Sequence, residues 1–147
     1  VCDVRASGVS VLSETFDTAS ARIEFENGCV ANLTASRIAN KKIRKFRFFE
    51  KNSYTTIDFL NPSIETYSLS NTKPSNKKDR LIMTHKNKYI VYDKLKIKPH
   101  NALNRELGHF INCVENLKNP MVDGSSGYNA LKLAVKIQRH IKQNYKK

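Results

Sequence analysis

The sequence is poor in several things that would narrow its role at once. It has three cysteines in 147 residues (Cys2, Cys29 and Cys113), odd in number and far apart. That pattern excludes a disulfide framework and a paired metal knuckle, and it favours a reducing, cytoplasmic compartment with buried free thiols. No apolar run approaches the roughly 20 residues that a membrane-spanning helix needs, so no membrane partner is expected. The first residues, Val1-Cys2-Asp3-Val4-Arg5, have no initiator Met, no basic n-region and no leader cleavage site. They read as the middle of a strand, as if cut from a longer protein. Acidic residues are scarce, 13 against 26 Lys and Arg, which leaves a net charge of +13.

What is present describes a globular chain. Hydrophobic content is 39% and charged content 27%, which fits one folded domain over residues 1–147 rather than disorder. The positive charge gathers in two stretches, Arg37 to Lys51 and Lys73 to Lys98. Such charge ordinarily points to nucleic acid. It equally describes solvated faces of strands and loops, and a fragment's charge balance is a poor guide to a larger whole.

The first two thirds alternate with period two, the signature of strands. In Thr18 to Phe25, Ala19, Ala21, Ile23 and Phe25 share one face while Ser20, Arg22 and Glu24 share the other. Asn27-Gly28 then predicts a tight hairpin with positive φ at both central positions. The return strand runs from Cys29 to Ser36. Further strands are predicted at Ile43–Glu50, with Phe46 and Phe48 on the core side, and at Tyr54–Phe59 and Ile64–Leu69. Ser70 to Asp79 is polar and breaker-rich, a loop. Leu81–Thr84 and Tyr89–Ile97 should pair as a basic hairpin turning near Asn87, its lysines guarding an exposed edge.

The period then changes. Asn101 is a candidate N-cap for a helix from Ala102 to Asn116, with Leu103, Leu107, Phe110, Ile111 and Val114 on one stripe. Lys118-Asn119-Pro120 stops it. A second helix, from about Ser126 to Gln143, should bury Ala130, Ala134, Ile137 and Ile141. Strands first and helices last predict an α+β fold: an open, mostly antiparallel sheet of about six or more strands, with two C-terminal helices packed on one face.

The run Asp17-Thr18-Ala19-Ser20-Ala21-Arg22-Ile23-Glu24-Phe25-Glu26-Asn27-Gly28, followed by a strand ending in Ser36-Arg37, resembles the C-terminal domain of the glucose-fructose oxidoreductase / inositol dehydrogenase / MocA (Gfo/Idh/MocA) family. Lys42 to Glu50 is similar to that domain's next strand. Asn101 to Ile111 is similar to its Leu-x-x-Glu-Leu-x-x-Phe helix, and Pro120 to Gly124 leading into Ala130–Ala134 to its closing loop and helix. The resemblance covers most of the chain, Ser70 to Lys98 being the least typical part.

The resemblance implies an NAD(P)-dependent oxidoreductase that moves a hydride between nicotinamide and a sugar, polyol or related hydroxyl substrate. It implies that NAD or NADP is held by an N-terminal Rossmann domain outside this chain, which would be the chain's partner within one parent protein. The family's Glu-Lys-Pro motif and Asp-x-x-x-His helix are absent, and so is a Gly-x-Gly-x-x-Gly loop. No catalytic and no cofactor-binding residue is therefore carried over, and the fragment alone should be inactive. What remains is a wall of the substrate cleft and a sheet face suited to a homo-oligomer. The small residues Ala19, Ala21, Ala31 and Ala35 suit a second subunit, or they lie beneath the helices. Arg37, at a strand end, is the one substrate-cleft candidate, since a guanidinium could orient a polar substrate or a phosphate. The alternative is a solvated surface arginine.

Other constellations carry less. His109 and Cys113 stand four apart on a helix without a second ligand pair, so no metal site is assigned. Ser125-Ser126-Gly127 lacks the strand–elbow–helix context of a nucleophile. The basic-aromatic run Arg44 to Phe49 raises a stand-alone nucleic-acid-binding module as the alternative function. Its aromatics alternate with cations, as core positions would.

Overall fold

The computed structural model describes residues 1–73, 80–85 and 88–145. The remainder of the Ser70–Asp79 loop and the turn near Asn87 lie outside those residues. Eight strands precede two helices: β1 (Asp3–Val9), β2 (Thr18–Glu24), β3 (Val30–Ser36), β4 (Lys45–Glu50), β5 (Ser53–Asp58), β6 (Ser63–Ser70), β7 (Arg80–His85), β8 (Lys88–Lys96), α1 (Ala102–Glu115) and α2 (Gly124–Tyr145). The α+β class is as expected, and every strand pairing among the described residues is antiparallel. The strands form two sheets, one of three in the order β1-β2-β3 and one of five in the order β4-β5-β6-β8-β7. The chain divides into two compact units, residues 1–41 with 107–147, and residues 42–106.

In the first unit the β2–β3 register pairs Thr18 with Ser36 and Glu24 with Val30. The expected hairpin forms, but its turn is of another kind. Gly28 N–H donates to Phe25 O at 2.9 Å, and Gly28 alone in the turn takes positive φ, at 80°. This is a three-residue loop closed by a glycine bulge. Asn27 keeps a negative φ because its Oδ1 accepts the Cys29 N–H at 3.1 Å, a local bond that the right-handed conformation allows.

Alternation places Val4, Ala6, Ala21 and Ile23 on one face, where all four are buried. Helix α2 lies over this face through Ile141 (2% exposed) and Ile137, and Phe16 and Ala19 complete the cluster. Burying one such isoleucine stabilises by about 1.5–3 kcal/mol. Asn144 Nδ2 donates to Ala6 O at 3.3 Å, tying the helix end to the strand. Ala19 and Ala21 thus sit beneath α2, whereas Ala35 and Leu33 on β3 stay exposed.

Two helix-face expectations need correction. On α2 the side chains turned inward are Leu133, Ile137 and Ile141, while Ala130 and Ala134 are exposed. A strict i, i+4 series won over the drifting one because only a narrow line of the helix meets the strands. On α1 the apolar stripe of Leu103, Leu107, Phe110, Ile111 and Val114 faces solvent, each side chain 52–61% exposed. Periodicity identifies an apolar face and does not say what meets it.

The buried residue of α1 is Cys113, covered by the chain's own connector. Its Sγ lies 3.7 Å from Asn119 O, and Met121 N–H donates to His109 Nε2 at 3.1 Å. The helix closes in a Schellman turn: Lys118 N–H reaches Cys113 O, Leu117 N–H reaches Val114 O, and Leu117 adopts φ 51°. Of the three thiols expected to be buried, Cys2 and Cys29 are exposed. They occupy the first residues of the chain and the hairpin turn, where no layer covers them.

In the second unit the register aligns Phe49, Tyr54, Tyr67 and Tyr92 across β4, β5, β6 and β8. Successive ring centroids lie 4.6, 6.0 and 4.9 Å apart, a ladder of cross-strand aromatic contacts. Lys45–Asp58 and Lys94–Glu65 ion pairs flank it on the same face. Phe48 is half-buried on the opposite face, but Phe46, expected in the core, is 54% exposed near the edge. The β7–β8 hairpin forms as expected, with an irregularity between Leu81 and Met83. Asn101 caps α1, its Oδ1 accepting the Asn104 N–H at 3.2 Å.

Candidate functional site

The β1–β2 connection, residues 10–17, makes a wide excursion between two paired strands. Asp17 closes it: its N–H donates to Val9 O at 2.9 Å. Its side chain then organises everything in between. Asp17 Oδ2 accepts N–H groups from Val11 (2.7 Å), Leu12 (2.6 Å) and Ser13 (3.2 Å). Oδ1 accepts the Ser13 hydroxyl at 3.1 Å and Arg37 Nε at 2.6 Å. The residue is only 4% exposed. Its carboxyl is held well below the usual carboxylate range, first by the Leu12 and Val11 N–H groups and then by Arg37 and Ser13, against an opposing effect of burial.

Arg37, the cleft candidate, is the far side of this cluster. Its N–H donates to Asp17 O at 3.0 Å, continuing the β2–β3 ladder by one step. Its Nη2 donates to Ser13 Oγ at 2.7 Å, Phe16 O at 3.2 Å and Thr15 O at 3.3 Å, and also to Thr15 Oγ1. Nη1 has no partner among the described residues, and the side chain is 54% exposed. Arg37 lines a cavity of about 310 Å³ together with Phe16, Thr18 and Ser36. A larger, shallow depression of about 650 Å³ crosses the three strands, bordered by Arg5, Arg22, Leu33, His140 and Asn144.

Asp17 had no assigned role from sequence, yet a signal was there. In a hairpin centred on Asn27, residues 17 and 37 are equidistant from the turn, so an acid and a base at those positions must meet. His109 and Cys113 also come together, their Nε2 and Sγ 3.6 Å apart. The histidine nitrogen accepts the Met121 N–H instead of facing an open site. No group of three metal-ligating side chains occurs among the described residues. His100 and His140 join no such group, and the His85 side chain lies outside the described ones.

A dinucleotide does not fit the residues present. Pyrophosphate binding in a Rossmann unit needs a glycine-rich turn from a parallel strand into a helix N-terminus, whereas the described strands pair antiparallel throughout. The Gly124-Ser125-Ser126-Gly127 start of α2 superficially resembles a phosphate loop. There Asp123 Oδ1 accepts the Ser126 N–H at 2.8 Å, and its carboxylate occupies the end of the helix where an anion would bind. No helix among the described residues is long and apolar enough to cross a membrane.

Comparison with known proteins agrees with this architecture. The model of an oxidoreductase family's C-terminal alpha/beta domain matches residues 4–146. UDP-N-acetylglucosamine 3-dehydrogenase of Acidithiobacillus ferrooxidans is 30% identical over 139 residues, 92% of this chain and 40% of that protein. A solved structure of that enzyme superposes with a TM-score of 0.77 at 27% identity, covering 97% of this chain and 41% of the other. An NAD-binding protein from Listeria innocua shares the fold, with a TM-score of 0.63 at 19% identity, over 96% of this chain and 43% of that one. The chain thus spans about 40% of the length of the curated relative it matches. From residues 4 to 146 it belongs to the Gfo/Idh/MocA oxidoreductase family, as that family's C-terminal domain.

Proposed function

We propose that this chain is the substrate-side and oligomerisation domain of a cytoplasmic, NAD(P)-dependent oxidoreductase that acts on a hydroxyl of a sugar-type substrate. The single observation that carries the reading is the family match over residues 4–146. The dehydrogenase relative acts on a sugar nucleotide by its name, and a sugar nucleotide is the first substrate class to try. In this reading a separate N-terminal Rossmann domain of the parent protein holds NAD or NADP, which supplies hydride chemistry when bound. This chain contributes the cleft wall around the Arg37 end of the β2–β3 hairpin.

The surface of the first unit supports a larger assembly. Leu107, Phe110, Ile111 and Val114 at helical spacing, each more than half exposed, form an apolar strip of the sort that marks an interaction surface. We assign it to the parent's other domain. The uncovered β3 surface around Leu33 is assigned to a second subunit. The test compares the full-length protein with this chain. With UDP-N-acetylglucosamine and either nicotinamide cofactor, the full-length protein is expected to produce reduced nicotinamide, followed by absorbance. This chain alone should show no heat of nicotinamide binding by titration calorimetry. Saturable binding by the isolated chain, or a full-length protein inert towards every sugar and sugar nucleotide, overturns the reading.

A further inference from the structure

We infer that Asp17 is a positioning residue for the enzyme: it aims the open edge of the Arg37 guanidinium at an uncharged oxygen, a hydroxyl or carbonyl, of the bound substrate. This rests on the reading that the Arg37 end of the hairpin borders the substrate cleft.

The construction of the cluster favours positioning over simple stability. Asp17 is almost wholly buried and its carboxylate is met by five donor groups, three backbone N–H groups, one hydroxyl and one guanidinium nitrogen. Burying a carboxylate is costly unless it is fully paired. Yet what it organises is surface: Val11 is 58% and Leu12 79% exposed, and neither adds to the core. The return is a loop of fixed shape and an arginine with one fixed orientation.

The guanidinium's bonds divide cleanly. Nε and Nη2 are committed to Asp17, Ser13, Thr15 and Phe16, whereas Nη1 is uncommitted among the described residues. Arg37 lines the cavity that Phe16, Thr18 and Ser36 share. Charge then decides the ligand class. Asp17 at 2.6 Å neutralises Arg37, so the pair presents a polarised N–H donor with little net field. A phosphate needs uncompensated positive charge or convergent donors, and Asp17 removes the former. A sugar hydroxyl or amide carbonyl needs only a well-aimed donor.

Steady-state kinetics on the full-length enzyme test this, with sugar substrate and nicotinamide varied separately. Asp17→Asn and Arg37→Lys should each raise the KM for the sugar substrate about tenfold while leaving the KM for nicotinamide within about twofold. The double variant should be no worse than the weaker single, as expected for residues acting as a unit. A substrate analogue lacking the contacted hydroxyl should lose its discrimination in Asp17→Asn. Should Asp17→Asn fail to fold, Arg37→Lys with the deoxy analogue carries the same measurement. An active enzyme whose variants fold and keep the wild-type sugar KM overturns the inference alone. A wild-type enzyme that reduces no nicotinamide overturns the functional reading, and the inference with it.

Discussion

Gly8 and Ile141 meet so closely that no side chain fits between them: a Cβ built on Gly8 would lie 2.9 Å from Ile141 Cγ2 and 2.9 Å from the Thr18 carbonyl oxygen. The glycine is there for space, since its backbone is ordinary strand. The second contact is to backbone on the paired strand β2 and cannot swing away. Gly8→Ala is therefore expected to destabilise the first unit by about 1–3 kcal/mol, as overpacking does. Ile141→Val should recover only part of that loss. Chemical denaturation of the two single variants and the double variant measures both.

The Asp17 cluster predicts a specific acid response. A carboxylate whose pKa is depressed in the folded state adds stability above its unfolded value, and loses it as pH falls through the folded one. The melting-temperature gap between the wild type and Asp17→Asn should thus stay constant from about pH 8 to pH 5, and narrow below about pH 4. Asp3, Asp58 and Asp123 are shifted in the same direction. They are common to both proteins and cancel in the difference. A gap that widens on acidification would contradict the ionised, hydrogen-bonded carboxylate.

Leu117 occupies a position that suits glycine. It holds φ 51° at the end of α1, with its side chain 96% exposed. A left-handed conformation costs an L residue about 1–2 kcal/mol, and this leucine recovers nothing by burial. Leu117→Gly should raise stability by about 0.5–1 kcal/mol once the greater freedom of glycine in the unfolded chain is subtracted. Thermal melts of the chain check the sign.

Local pattern made most of the architecture legible from the residues. Period-two alternation located the β2–β3 hairpin, because strand geometry ties each side chain to one face. The Asn101 cap and the stop at Lys118-Asn119-Pro120 were equally readable, since both act within one turn of chain. What escaped was non-local. The division into one sheet of three strands and one of five rests on which strands pair, and alternation within a strand does not encode its partner. The α1 stripe was recognised as apolar, but its exposure depends on what lies opposite. The α2 face was misjudged by about one residue because Ala134 and Leu133 fit apolar stripes almost equally well. Arg37 was singled out without Asp17. Their pairing is written in the register, which sets residues equidistant from the turn side by side.

The tyrosine ladder of the second unit has a practical optical consequence. The protein contains no tryptophan, and three of its six tyrosines, Tyr54, Tyr67 and Tyr92, stack in one row with Phe49. Rings held that close couple their electronic transitions. The near-ultraviolet dichroism of the chain therefore carries a coupled signal from this sheet, a built-in spectroscopic reporter for residues 42–106 that requires no introduced label, beside the single Phe16–Tyr145 contact of the first unit.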